Sequence, residues 1–300
     1  MENLGKFKKG DAVKLHNGSY LITDLIGAGA VGEVYRAIDV QRRQRCAVKY
    51  NYGNYASNRK LFYEKLLLLT QGRAPHPAFA WPYDAGDRGT NGSFLLAMPL
   101  KEGYGSLAPV MREEASLSPA QRLALARAVV EPFVKLHEAG YLYVDYSQTN
   151  IRYRREKDGS FRVAVIDTDN ITVPGGNLGL EGTGLFRAPE IILGGKADFN
   201  SDYHALSALV FHLLVGCNPL DGARSGSVPF TPENVRRYWG EEPCFLFGGG
   251  GNPCRNAQAA ANWNALSDKL RAFFTYQYCA SCLHGKLPRL ESGLLLQALS

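Results

Sequence analysis

A chain of 300 residues with 45% hydrophobic content can bury a sizeable core, and its net charge of +6, from 34 basic and 28 acidic residues, is mild for that size. No dense Lys/Arg block or aromatic-basic interleave marks a nucleic-acid binder. No apolar run reaches the ~18 residues of a membrane span, and Met1-Glu2-Asn3-Leu4-Gly5-Lys6 lacks a signal-peptide core, so the expectation is a cytoplasmic protein with neither a nucleic-acid nor a membrane partner.

In chain order, the first informative stretch is Ile26-Gly27-Ala28-Gly29-Ala30-Val31-Gly32-Glu33-Val34. Its glycines permit turns closed to other residues and let backbone N–H groups approach phosphate oxygens. A GxGxxG run also opens dinucleotide folds. Here, however, Val34 and Tyr35 and then Cys46-Ala47-Val48-Lys49 follow, which predicts hairpin strands rather than a strand feeding a helix. Val34 and Ala47 would roof an adenine, and Lys49 would place a cation on the α and β phosphates if a carboxylate fixes its direction. The segment Asn58 to Leu69 reads as a helix with Leu61, Leu68 and neighbouring leucines on its buried face. It offers Glu64 as that carboxylate, with Lys60, one turn away, as the competing partner. Phe94-Leu95-Leu96-Ala97-Met98-Pro99 predicts the last strand of a first lobe, with Ala97 or Met98 lining the back of the adenine pocket.

Ser118 as N-cap, Pro119 in the first turn, apolar Leu123, Val130, Phe133, Val134 and Leu136, and Gly140 as stop predict a long helix. His137 on that helix reads as a hydrogen-bonded core residue rather than a catalytic one. After Val144-Asp145-Tyr146-Ser147-Gln148-Thr149-Asn150, the runs Asn150 to Arg155 and Phe161 to Ile166 flank the turn signal Lys157-Asp158-Gly159-Ser160, which places Asp167 just past a strand. Asp167-Thr168-Asp169 and Gly182-Thr183-Gly184-Leu185-Phe186-Arg187-Ala188-Pro189-Glu190 come next. An apolar helix from Ala205 to Val215 is then entered at Asp202, and Gly248 to Pro253 reads as a surface loop. The six cysteines, Cys46, Cys217, Cys244, Cys254, Cys279 and Cys282, read as reduced thiols. Cys279-Ala280-Ser281-Cys282 is a lone CxxC, and Cys244 and Cys254 stand at irregular spacing for completing a zinc site.

Taken together, these stretches resemble the eukaryotic-like protein kinase family, of the serine/threonine type, from about Tyr20 to the C-terminus. The segment from Tyr143 to Asn150 is similar to the HRDLxxxN loop, Asp167-Thr168-Asp169 takes the DFG position, and Gly182 to Glu190 resembles the GTxxYxAPE block. The resemblance implies an α+β, two-lobed fold forming a single kinase domain. Its small lobe, residues 1–97, is mainly an antiparallel sheet with one helix, and its large lobe, residues 98–300, is mainly helical. It implies ATP and Mg²⁺ as cofactors and phosphoryl transfer to Ser/Thr hydroxyls of protein substrates. Asp145 would be the base, Lys49 and Glu64 its catalytic companions, and Asn150 and Asp167 the metal ligands. Ile26 through Val31, Gly32, Val34, Ala47, Lys49 and Met98 would hold the nucleotide, and Thr183 would position the acceptor. Asp202 would cap the catalytic loop, and Glu190 would pair with Arg289. The likeness to the bacterial branch, carried also by Asn218-Pro219-Leu220-Asp221-Gly222, implies a metal-dependent phosphatase partner.

The departures define the rival reading, a pseudokinase or ATP-binding scaffold. Tyr143-Val144 replaces His-Arg, so the cation that meets a phosphorylated activation loop is missing. Ser147 replaces a lysine and removes a positive charge. Thr168 replaces Phe and forfeits a buried aromatic worth roughly 1.5–3 kcal/mol. Asp169 replaces Gly, and reads as a solvated turn residue in preference to a further carboxylate near the metals. Arg152 would either stack on the base or a neighbouring ring or point away.

Overall fold

The computed structural model describes residues 5–53, 59–87, 89–112, 116–176 and 184–300. They form two compact units: one runs up to Gly103 and takes in Ile166–Asp169, the other comprises Tyr104–Val165 and the described residues from Asn170 onward.

The first unit is built on strands β1 (Ala12–Lys14), β2 (Ser19–Ala28), β3 (Gly32–Asp39), β4 (Gln44–Asn51), β5 (Asp84–Ala85) and β6 (Phe94–Pro99), with helix α1 (Arg59–Gln71). The sheet order is β1-β2-β3-β4-β6-β5, and its pairings are antiparallel. β-branched and aromatic residues suit such a half-covered sheet. Tyr20, Ile22, Tyr35, Ala37, Cys46, Val48 and Ala97 meet in its core.

Helix α1 buries Phe62, Leu66 and Leu69, spaced four and three residues apart on one face. This corrects the sequence reading, because Leu61 and Leu68 are 48% and 67% exposed. The buried stripe lies one residue further along the chain, about 100° around the helix. That rotation carries Glu64 outward and brings Lys65 inward.

The second unit opens with β7 (Gly105–Ser106) and α2 (Ala108–Met111), followed by α3 (Pro119–Glu138). Helix α3 starts in a capping box, in which the Ser118 hydroxyl accepts from Gln121 N–H and the Gln121 side chain accepts from Ser118 N–H. It stops before Gly140 at φ 84°, the left-handed conformation glycine allows. Strands β8 (Ile151–Arg155) and β9 (Phe161–Val165) make the hairpin, turned at Gly159, and β7 joins as a third strand.

Helices α4 (Pro189–Ile192), α5 (Phe199–Val215), α6 (Pro232–Val235), α7 (Ala257–Ala265), α8 (Asp268–Gln277), α9 (Ala280–Leu283) and α10 (Ser292–Ala298) complete the unit. Helix α5 begins at Phe199, capped by Asp198 in a capping box with Ser201, rather than at Asp202. The shift puts Asp202 in the first turn, with its carboxylate free to serve another segment. Helices α3, α5 and α10 pack together, and Leu206, Leu209, Val210, Phe211 and Leu213 of α5 are fully buried.

Candidate active site

In the first unit the glycine-rich stretch closes β2 onto β3. Gly29 N–H donates to Gly32 O over 2.9 Å. A Cβ on Gly32 would stand 2.2 Å from Tyr50 O, so only glycine fits there, whereas Gly29 has open space around its Cα. Ile26 is 43% exposed, and Gly27 and Ala28 pair with Val34 and Glu33. Val34 lies across from Lys49 on β4, and Ala47 lies across from Met98 on β6, so the residues read as an adenine roof and pocket share one patch of sheet.

Lys49 is almost sealed from solvent, and three carboxylate oxygens surround its amine. Nζ donates to Asp167 Oδ1 over 3.0 Å and to Asp169 Oδ1 and Oδ2 over 2.9 and 2.8 Å. Burial pulls the Lys49 pKa down, but the charges of Asp169 and then Asp167 outweigh it and hold the amine firmly protonated. Asp169 is thus a buried partner of Lys49, only 1% exposed, and not a solvated turn residue. A buried charge needs a partner, and the pair supplies it.

Glu64 does not reach Lys49. It is 50% exposed and faces Lys60, 3.8 Å away, as the rotated α1 stripe requires. Its neighbour Lys65 instead donates to the backbone carbonyl of Asp169 over 2.6 Å and lies over the Phe62 ring. Burial drives the Lys65 amine down to about 7, with Asp169 opposing and Lys49 reinforcing the shift. Thr168, fully buried where an aromatic was missed, donates its hydroxyl to Ala80 O over 2.5 Å. A tether thus replaces packing.

In the second unit Asp202 organises the loop after α3. Its carboxylate accepts from Tyr143 N–H at 3.0 Å, Val144 N–H at 2.8 Å and the Tyr146 hydroxyl at 2.9 Å. His137 Nε2 lies 2.8 Å from the same carboxylate and its Nδ1 2.8 Å from Ser292 Oγ. A carboxylate only accepts, so Nε2 carries a proton and His137 is the hydrogen-bonded core residue its helix position suggested. Val144 is held at φ 68°, a costly conformation for a β-branched residue.

Asp145 follows, and its Oδ2 accepts from Asn150 Nδ2 at 2.9 Å and from Asn170 Nδ2 at 3.0 Å. Asn150 spends its amide N–H groups on Asp145, which leaves its carbonyl end as a hard oxygen donor suited to a small divalent cation. Asp167, 36% exposed and with one oxygen on Lys49, offers the same kind of donor. Each is, by itself, a hard oxygen donor of the kind Mg²⁺ takes, and the open glycine turn fits phosphate. Ser147, standing where a lysine was missed, accepts from Asn150 N–H and so closes the loop. Asn170 was not singled out by sequence reasoning. Its only signal is a polar amide shortly after Asp167.

Elsewhere in this unit Glu190 and Arg289 form a two-pronged pair, and Arg289 also donates to Asn200 O. Arg152 bonds Thr149 O over 3.3 Å. Thr183 lies outside the described residues. All six cysteines are unpaired thiols. Among the described residues there is no cluster of three or more His, Cys, Asp or Glu poised as a metal site, and no helix is long and apolar enough to cross a membrane.

A family model described as the protein kinase domain matches residues 20–273. The chain is 26% identical over 211 residues to a probable serine/threonine-protein kinase of Corynebacterium efficiens, covering 68% of this chain and 32% of that protein. It is 27% identical over 210 residues to the serine/threonine-protein kinase PknE of Mycobacterium tuberculosis, covering 68% and 36%. The probable serine/threonine-protein kinase PknB of Corynebacterium glutamicum matches at 24% over 217 residues, covering 70% and 33%. The chain therefore spans about a third of the length of these relatives.

Proposed function

The chain belongs to the protein kinase domain family, and from that premise we propose that it transfers the γ-phosphoryl group of ATP to Ser or Thr hydroxyls of protein substrates. The observation that carries this reading is the meeting of Lys49 with Asp167, 118 positions apart in sequence and 3.0 Å apart in space. The reading takes Lys49 as the phosphate cation and Asp167 as a metal carboxylate, both in the unit that also holds the open glycine turn. Such an arrangement serves positioning and charge stabilisation, the terms that dominate phosphoryl transfer.

The roles follow residue by residue. The turn from Ile26 to Gly32 presents N–H groups to phosphate. Val34, Ala47 and Met98 contact the base, and Lys49 holds the α and β phosphates. Asp167 and Asn150 bind Mg²⁺, which when bound neutralises phosphate charge. Asp145, oriented by Asn150 and Asn170, accepts the proton of the attacking hydroxyl. Thr183 positions that hydroxyl, and a metal-dependent phosphatase reverses the product.

The test is incubation of the purified chain with Mg²⁺, labelled ATP and a generic acceptor protein. Wild type labels the acceptor on Ser or Thr, and Asp145→Asn and Lys49→Met each lower labelling by roughly 10²–10⁴-fold. Equal labelling by all three removes the enzyme claim in favour of a nucleotide-binding scaffold, and phosphotyrosine alone removes the substrate class.

A further inference from the structure

An ammonium group has three protons, and three carboxylate oxygens surround Lys49: Asp169 Oδ2 at 2.8 Å, Asp169 Oδ1 at 2.9 Å and Asp167 Oδ1 at 3.0 Å. The two carboxylates differ in exposure. The Asp167 side chain is 36% exposed and that of Asp169 is 1% exposed. Asp167 can therefore be shared with an incoming cation, whereas Asp169 is shut in against Lys49.

Asp169 is also fixed from behind. Lys65 of α1 holds its carbonyl over 2.6 Å, and the preceding Thr168 is tied to Ala80 O over 2.5 Å. The carboxylate on α1, Glu64, points the other way, half in solvent and 3.8 Å from Lys60. Helix α1 thus meets the Asp167–Asp169 segment through a lysine amine and a backbone carbonyl.

We propose that Asp169 is the positioning residue of Lys49 in this chain, in place of a carboxylate on α1, and that Lys65 supplies the helix's side of the connection by fixing Asp169. The proposal rests on the kinase reading in that Lys49 is taken as the phosphate cation. It explains how Lys49 stays oriented when Asp167 is drawn to another cation: two of its three oxygen partners remain. It also accounts for two departures from the family pattern together. The residue that replaces Gly supplies the anion that Glu64 does not.

The experiment is a double-mutant cycle in the whole chain, with Asp169→Asn, Asp169→Glu and Glu64→Gln each made alone and on top of Lys49→Met. Two properties are read: the affinity for a fluorescent ADP analogue and thermal unfolding without nucleotide. Asp169→Asn weakens the analogue roughly ten-fold alone but less than about two-fold in the Lys49→Met background. Asp169→Glu, which keeps the charge, recovers part of the loss, and it also reads the cycle if the Asn variant does not fold. Glu64→Gln stays within about two-fold of wild type. The KM for ATP rises in Asp169→Asn and not in Glu64→Gln.

The proposal is overturned if Glu64→Gln weakens binding as much as Asp169→Asn, or if Asp169→Asn loses the same factor in both backgrounds, as a general fold defect would. A wild-type chain that binds no analogue overturns the kinase reading, and with it any positioning role toward nucleotide. The nucleotide-free melts then report on the pair alone: non-additive losses for Asp169→Asn and Lys49→Met keep the pairing, and additive ones remove it.

Discussion

Asp202 shows how much one buried carboxylate can hold. It takes two backbone N–H groups, a tyrosine hydroxyl and an imidazole N–H, and in doing so pins Val144 in its unfavourable backbone conformation. Asp202→Asn keeps the shape but turns part of the acceptor into a donor facing donors, so it should cost roughly 2–4 kcal/mol in denaturant unfolding. The Glu190–Arg289 pair carries a different, directional expectation. Arg289 is 2% exposed and Glu190 37%. Glu190→Gln strands a buried guanidinium and should cost roughly 3 kcal/mol, whereas Arg289→Met leaves a carboxylate that already reaches water and should cost clearly less. Chemical denaturation of the two variants side by side checks the order. Glu190 was legible in sequence because it closes a spaced motif, and Arg289 only as the partner that the family resemblance implies. Asp169 was not, because a lone carboxylate beside a turn gives no sign of the lysine 120 positions upstream that buries it.

At the scale of elements, local signals served well where they are chemical. The Ser118 capping box, the Gly140 stop and the Asp158-Gly159 turn each fix a boundary through hydrogen bonding or a positive φ. They served less well where only packing decides. In α1, seven of the thirteen residues are leucine, phenylalanine or tyrosine around most of the circumference, so the pattern does not say which stripe is buried. A shift of one position reversed the roles of Glu64 and Lys65.

Helix α5 leads to a prediction of its own. His204 is fully buried with neither ring nitrogen bonded among the described residues, and burial holds it uncharged with its pKa well below 6.5. Burial likewise lowers His212 to about 4. Both groups bind protons more readily in the unfolded chain, so their contribution to stability is full above pH 6.5 and is lost as pH falls below it, down to about 4 for His212. Thermal melts between about pH 7.5 and about pH 4.5 should show a loss of roughly 2–4 kcal/mol, and His204→Phe should flatten that acid limb. An unchanged limb in His204→Phe would assign the acid loss to other groups.

For the molecule as a whole, composition set the class and motif order set the family, while the departures from the motifs are where the structure added chemistry. Tyr143, Thr168 and Asp169 each depart from the family pattern, and each is buried with a partner of its own: ring contacts with Phe133 and Tyr146, the Ala80 carbonyl, and Lys49. The substitutions therefore read as a rebuilt interior rather than as decay. If the chain uses ATP as proposed, its net charge of +6 should speed encounter with the nucleotide at low salt, an effect that adding roughly 0.5 M salt would suppress in kcat/KM with little change in kcat.

The first unit is not one stretch of chain. Its Lys49 and Lys65 find their oxygen partners on residues 166–169, which the ribosome makes long after Gly103. During synthesis those two amines must wait, and a fragment ending at Gly103 would carry Lys49 without its carboxylates and Lys65 without the carbonyl that meets it in the complete chain. Such a fragment should be soluble only as a loosely packed species, and a synthetic peptide spanning Val165 to Thr172, added in trans, should sharpen its melting transition. Complementation of that kind would make the lobe a reporter for binding of its own missing piece.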